Sequence, residues 1–272
     1  MSNAAVPSDV SDQSASPAAA APALEITDLR YRFRAREGEE PGGWLIDLPR
    51  LTLSAGEQML LQAPSGRGKS TLLYLIAGLY DLDGPEAAPG CTGRINVAGR
   101  NMHALKRSDR DKFRGLHVGM IFQTFNLLQG FSALENVLSA LMFSDLPKGR
   151  HEARARELLA SLGIERTHAT PDRLSVGQQQ RVAVARALAC RPTLVLADEP
   201  TASLDPENAA AALDLIQSAC RDQGAALRHD AAQYVKLVRH LPDVFRILAG
   251  IVKSSADESD PGPSPLRQNF SF

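Results

Sequence analysis

The chain has 272 residues, 44% of them hydrophobic, enough to bury one large core or two small ones. Its formal net charge of −1 gives no general electrostatic reason to expect nucleic acid or an anionic membrane surface as a partner. The most apolar runs, such as Leu72–Leu79, fall far short of the ~20 residues that span a bilayer, and no basic segment followed by an apolar one opens the chain, so neither a spanning helix nor secretion is expected.

Met1–Ala23 is rich in Ala, Ser and Pro with almost no large apolar residue, and it reads as a disordered tail. Leu24–Arg34 alternates like a strand, and Trp44–Leu53 suggests another. Gln58–Ala63 is a short continuous apolar strand, broken by Ser65–Gly68. Lys69–Tyr80 then takes helical spacing, with Leu72, Leu73, Leu75, Ile76 and Leu79 on the inward side. Gly93–Val97 with Gly99 reads as an edge strand and turn, and His117–Gln123 as a buried strand. Thr124 to about Arg173 is mostly helical, with breaks near Gly130, Pro147, Gly149 and Pro171. Ser175–Cys190 is a helix with a marked start, Thr193–Asp198 a fully buried strand, and Pro206–Arg221 an Ala-rich helix. Strands alternating with helices imply a parallel sheet covered on both faces, and the helical block implies an inserted subdomain. Ser254–Phe272 carries three prolines and reads as a second tail. Cys91, Cys190 and Cys220 form no CxxC pair and no metal spacing, so reduced, partly buried thiols in cytosol are expected.

The first chemical signal is Ala63–Thr71, APSGRGKST, lying between a strand and a helix. That is the context in which GxxxxGK[ST] forms a phosphate-cradling loop, although Ala63 stands where the first glycine is expected. Glycines let backbone N–H groups turn toward phosphate oxygens, and the following helix N-terminus favours an anion. Ser65, Gly66, Arg67 and Gly68 make the cradle. Lys69 would neutralise the β and γ phosphates, Ser70 ligate Mg²⁺, and Thr71 reach the α-phosphate. The second signal is the acid pair Asp198–Glu199 at the end of an apolar strand. Asp198 falls beside the phosphate loop, in contact with Mg²⁺ directly or through water, and Glu199 would polarise an attacking water. ATP and Mg²⁺ are the expected cofactors.

Leu174–Asp205, LSVGQQQRVAVARALACRPTLVLADEPTASLD, taken with APSGRGKST, resembles the ATP-binding subunit of an ABC transporter. QTFNLL, ALENV and LSVGQQQRVAVARAL resemble the branch that includes lipoprotein-release and macrolide-export ATPases. The resemblance covers Leu24–Asp205 well and the remainder poorly. It implies a RecA-like P-loop NTPase core with a parallel sheet, an N-terminal antiparallel β subdomain, and an α-helical subdomain over about 124–180, within an ATPase domain at 24–253. It also implies a homodimer in which each ATP lies between one copy's phosphate loop and Ser175, Gly177 and Gln178 of the other. The family's usual form is LSGGQ, so Val176 departs at one position. Gln123 matches the glutamine that reaches Mg²⁺ and the attacking water, Ser203–Asp205 the loop that crosses the dimer interface, and Phe33, rather than Tyr31, the ring that stacks on adenine. Simple core packing is the alternative for both rings.

The resemblance further implies an integral membrane permease as partner, docking near the apolar stretch Thr124–Val137, and a peripheral location on the cytoplasmic face of the inner membrane. Packing within the helical subdomain is the other reading of that stretch. No nucleic-acid partner is expected. The pattern breaks after Gly224. A further buried strand should precede the His-Asp pair, but Ala225–Arg228 is three or four residues too short before His229, the histidine expected to contact the γ-phosphate. Either hydrolysis is weakened or the strand is rebuilt from different residues. Ala231–His240 reads as a helix and Asp243–Val252 as a closing hairpin. Two alternatives to the transporter ATPase are a nucleotide-binding regulatory subunit with weak turnover and a soluble ABC ATPase of DNA repair or translation.

Overall fold

Two sheets and a helical layer share two hydrophobic cores in the computed structural model, which describes residues 21–38, 40, 42–61, 66–200, 206–222 and 226–230. The antiparallel sheet has the order β2-β1-β4-β5, from β1 (Leu24–Tyr31), β2 (Ile46–Leu53), β4 (Thr92–Val97) and β5 (Arg100–Asn101). In β1 the residues Leu24, Ile26, Leu29 and Tyr31 are fully buried. The one-residue slip in alternation falls where the register shifts between Thr27 and Arg30 and Asp28 takes φ 50°. Contrary to the edge position expected for Gly93–Val97, β4 is internal, because Arg100–Asn101 folds back antiparallel on Asn96–Val97. Ala23 is also fully buried, and its carbonyl accepts the Ala98 N–H at 3.1 Å.

The second sheet is parallel, with the order β3-β8-β7-β6, from β3 (Gln58–Leu61), β6 (Val118–Ile121), β7 (Leu194–Ala197) and β8 (Ala226–Asp230). β8 settles the question of the shortened segment in favour of a rebuilt strand. Five residues pair with β3 on one side and β7 on the other. His229 and Asp230 therefore lie inside the strand, opposite Leu60 and Leu61, rather than beyond its end. A chain missing this strand would leave the facing edges of β3 and β7 without ladder partners. The segments expected as a helix at 231–240 and a hairpin at 243–252, the loop at 203–205, the tail at 254–272 and residues 1–20 of the tail expected at 1–23 lie outside the described residues; the end of that tail is instead part of the fold, since Ala23 is fully buried.

β7 shows how a four-residue strand serves two cores. Leu194 and Leu196 face α1 (Lys69–Ile76) and the antiparallel sheet, whereas Val195 and Ala197 face the helical layer. α1 is shorter than its spacing implied. Gly78 at φ 64° turns the chain after Ala77, and Leu79 is 45% exposed instead of inward. α2 (Arg107–His117) was not foreseen, since RSDRDKFRGLH is largely charged and buries only Arg110 and Phe113. It takes His117 from the strand expected to start there. The helical layer is α3 (Ala133–Leu141), α4 (His151–Ser161) and α5 (Val176–Leu188), with α6 (Pro206–Asp222) packed on α5. Fully buried Asn136 in α3 fixes the preceding loop. Its Oδ1 accepts Leu128 N–H at 2.8 Å, and its amide donates to the carbonyls of Leu128, Phe131 and Ser132.

All three cysteines are free, and burial pushes the thiols of Cys190 and Cys220 up to about 11 and about 12, so both stay protonated at neutral pH. Gly119 sets the distance between β6 and α5, because a Cβ there would collide with the backbone carbonyl of Ala187. Gly119→Ala is expected to lower stability by about 2–3 kcal/mol, read as a lower urea midpoint at unchanged m value.

Candidate nucleotide site

Parallel strands present their C-terminal ends on one sheet edge, and that edge gathers the predicted chemistry. Leu61 of β3 leads into the phosphate loop, Ala197 of β7 precedes Asp198, and Ile121 of β6 lies two residues before Gln123. Ile121 and Ala197 are register partners, and the Asp198 N–H donates to the Ile121 carbonyl at 2.9 Å, so Asp198 continues the ladder one step. The loop leaves β3 on one side of β8 and α1 begins near β7 on the other.

Residues 62–65, including Ser65, lie outside the described residues. From Gly66 onward the geometry fits phosphate. Gly66 has φ 77° and Gly68 φ 81°, the left-handed region, with exposed Arg67 between them. Gly68 caps α1 without a side-chain cap, so the first N–H groups of the helix point outward, where an anion is favoured. A Cβ at Gly68 would stand 3.0 Å from the Leu45 side chain, a second reason for glycine there. Lys69 is buried, with Nζ 4.0 Å from a carboxylate oxygen of Glu199, at the outer limit of an ion pair. Thr71 is half-buried in the same first turn.

Ser70 Oγ donates to Asp198 Oδ1 at 2.9 Å, and Asp198 is only 7% exposed. The donated proton orients the hydroxyl and leaves its lone pairs for a cation, beside a carboxylate with further acceptor capacity. A hard cation that takes oxygen ligands fits this pair, with phosphate and water completing its shell. Among the described residues no three His, Cys, Asp or Glu side chains gather as a metal cluster. Glu199 follows at φ 43°, a left-handed conformation that costs a non-glycine residue of order 1–3 kcal/mol and turns the chain sharply off the sheet edge. Gln123 is exposed just beyond β6.

Ser175, Gly177 and Gln178 form the start of α5. Ser175 Oγ accepts the Gln178 N–H at 3.3 Å and Gln178 Oε1 accepts the Ser175 N–H at 3.0 Å, a capping box. Ser175 and Gly177 are exposed, and nothing lies within 4 Å of where a Gly177 Cβ would be. Val176 is 50% exposed, so the departure from glycine disturbs no packing. Tyr31 is fully buried, whereas Phe33 is 42% exposed and meets the Tyr31 ring edge-on at 5.3 Å, so Phe33 has the open face. His229 enters only through its backbone position in β8.

Three contributors escaped the sequence reading. Buried Gln180 of α5 donates to the Pro200 carbonyl at 3.0 Å, holding the turn just after Glu199. Arg186 donates to the carbonyls of Phe125 and Asn126 at 2.7 and 2.5 Å, both residues of positive φ beyond Gln123, and burial draws its pKa below the ordinary guanidinium value. Gln180 is a polar position on the buried face of α5, a signal available from periodicity. The third, Tyr74, lies one turn beyond Ser70 on α1, where burial and then the neighbouring Asp198 carboxylate raise its phenol pKa. Gln180→Met keeps the length of the side chain but strands the Pro200 carbonyl. The expected cost is about 1–3 kcal/mol, seen as earlier chemical unfolding beside the parent protein.

Residues 47–202 match the ABC transporter family. The lipoprotein-releasing system ATP-binding protein LolD 2 of Caulobacter vibrioides is 40% identical over 84% of this chain and 96% of its own length. LolD of Novosphingobium aromaticivorans is 39% identical over 85% and 99%. Among solved structures, the ATP-binding cassette MJ0796, a dimer in a post-hydrolysis state bound to ADP and Pi, superposes with a TM-score of 0.64 at 30% identity, covering 76% of this chain and 87% of that one. The open N-terminus of α1, the Ser70–Asp198 contact and Glu199 lie together at the C-terminal edge of the parallel sheet. The chain belongs to the ABC transporter family, as its ATP-binding and ATP-hydrolysing subunit.

Proposed function

We propose that this subunit closes as a homodimer around ATP and Mg²⁺ to drive an integral membrane permease, extracting lipoprotein from the membrane. The observation that carries the reading is the 2.9 Å contact of Ser70 with Asp198 beside the uncapped start of α1. Ser65, Gly66, Arg67 and Gly68 wrap the phosphates with backbone N–H groups, Lys69 neutralises their charge, and Thr71 contacts the α-phosphate. Phe33 stacks on adenine with its exposed face. Ser70, Asp198 and Gln123 hold Mg²⁺, which supplies charge neutralisation on the β and γ phosphates when bound.

Glu199 takes the proton of the attacking water as the γ-phosphoryl bond to ADP breaks, and its carboxylate stands 4.0 Å from Lys69 Nζ, beside the phosphate loop. His229 approaches the γ-phosphate from β8. Ser175 and Gly177 of a second copy supply the remaining donors from an exposed helix start, while Gln178 shapes that start through the capping box. The relatives named as lipoprotein-releasing ATP-binding proteins support the substrate class.

The permease docks on the helical layer. Leu128 (43% exposed), Phe131 (48%), Met142 (71%) and Phe143 (51%) present an unusually apolar surface there. An open groove of about 290 Å³ between this layer and the parallel sheet is lined by Met120, Phe122, Phe143 and Cys190 among others. Among the described residues no helix is long and apolar enough to cross a membrane, and a peripheral position on the cytoplasmic face of the inner membrane follows from such docking. The ATPase domain occupies 24–253, with the helical subdomain at about 124–180.

Glu199→Gln removes the base and keeps the shape. ATP turnover should fall about a hundredfold or more, while the variant accumulates as an ATP-bound dimer by size-exclusion chromatography with light scattering. A variant that hydrolyses ATP like the parent would exclude Glu199 as the base, and one that binds ATP strictly as a monomer would exclude the shared site.

A further inference from the structure

We infer that Tyr80 is a positioning residue for the adenine-stacking ring, a role that rests on the reading of Phe33 as that ring. Phe33 stands just beyond β1 and is 42% exposed. The second torsion of a phenylalanine is broad, so a ring placed there has no preset plane of its own. Two neighbours supply one. Tyr31 meets the Phe33 ring at 5.3 Å and 86°, and Tyr80 meets it at 5.7 Å and 87°. Near-perpendicular pairs are a favoured aromatic geometry, and two of them together restrict the rotation of the Phe33 plane. Tyr31 belongs to the core of the antiparallel sheet, whereas Tyr80 is half-buried and follows α1. Tyr80 is thus the support that ties Phe33 to the phosphate-binding helix.

Tyr80 is itself placed by α1. Gly78 turns the chain at φ 64°, and the N–H groups of Leu79 and Tyr80 both donate to the Tyr74 carbonyl, at 2.8 and 3.3 Å. The Tyr80 ring packs on the Tyr74 ring at 5.5 Å and 77°. The backbone around Phe33 is clipped to the loop that follows Tyr80. Phe33 bridges Ala87, the Arg34 N–H donates to the Glu86 carbonyl at 2.8 Å, and the Ala88 N–H donates to the Arg32 carbonyl at 3.0 Å. One helix therefore carries Lys69 and Ser70 at its start and leads at its end into the support of Phe33, which relates the base subsite to the phosphate subsite. A stacking plane set before nucleotide arrives costs less ordering on binding.

In the full-length protein, Tyr80→Leu and the longer Tyr80→Met remove the supporting ring, and Tyr80→Phe keeps it. Affinities for ATP and for inorganic tripolyphosphate, which has no base to stack, are measured by titration calorimetry, with Phe33→Leu as the reference. Phe33→Leu should weaken ATP binding and leave tripolyphosphate within twofold. Tyr80→Leu and Tyr80→Met should show the same split, with ATP weakened about fivefold, while Tyr80→Phe binds ATP within twofold of the parent. Parental ATP affinity in Tyr80→Leu and Tyr80→Met, beside a weakened Phe33→Leu, would overturn the inference and leave Phe33 as the stacking ring. Equal losses for ATP and tripolyphosphate, or no recovery in Tyr80→Phe, would overturn it in favour of a packing or hydroxyl role for Tyr80. Parental ATP affinity in Phe33→Leu would instead overturn the reading of Phe33 itself.

Discussion

The 2.9 Å hydrogen bond from Ser70 to Asp198 joins the first turn of α1 to the end of β7, and the site depends on that junction. It is made by residues 128 positions apart in the chain. Its existence requires three things at once: a parallel sheet whose strand ends coincide, a loop that crosses β8 before becoming helical, and a helix start left open by glycine. Each is a backbone property. The sheet is set by the period-two burial of β7 between two cores, and the crossing by the left-handed glycines at 66 and 68.

α5 ties the rest of the machinery to that junction. Its first turn carries Ser175 and Gly177 outward, its middle holds the Pro200 carbonyl through Gln180, and its far end grips the turn after Gln123 through Arg186. One helix thus joins the exposed start proposed to meet a second copy, the segment carrying the proposed base, and the loop beside the open groove. A shift of α5 cannot leave both carbonyl contacts intact unless the segments move with it.

Motif order and spacing made the phosphate loop, the acid pair and the start of α5 readable from residues alone, because each needs particular residue types at fixed offsets. The strands did nearly as well, since LVLA and QMLL permit little besides burial. α2 was missed because its face is built from Arg110 and Phe113 amid charges, which gives hydrophobic periodicity almost nothing to detect. The extent of α1 was overestimated because apolar Leu79 extends the pattern past Gly78, where backbone conformation ends the helix. Gln180 and Arg186 were overlooked for a different reason. Their partners are backbone carbonyls, and carbonyl positions leave no mark on a sequence. The strand at Ala226–Asp230 overturned the simplest inference from length: four residues of ladder suffice where neighbours on both sides demand a partner.

A double-mutant cycle on Ser70→Ala and Asp198→Asn, read as the Mg²⁺-dependent gain in ATP affinity by titration calorimetry, tests the junction most directly. The two groups act on one cation through one hydrogen bond, so each single change should abolish most of the gain and the pair should lose little more than either alone. Losses that simply multiply would show that Ser70 and Asp198 act independently and would contradict the account.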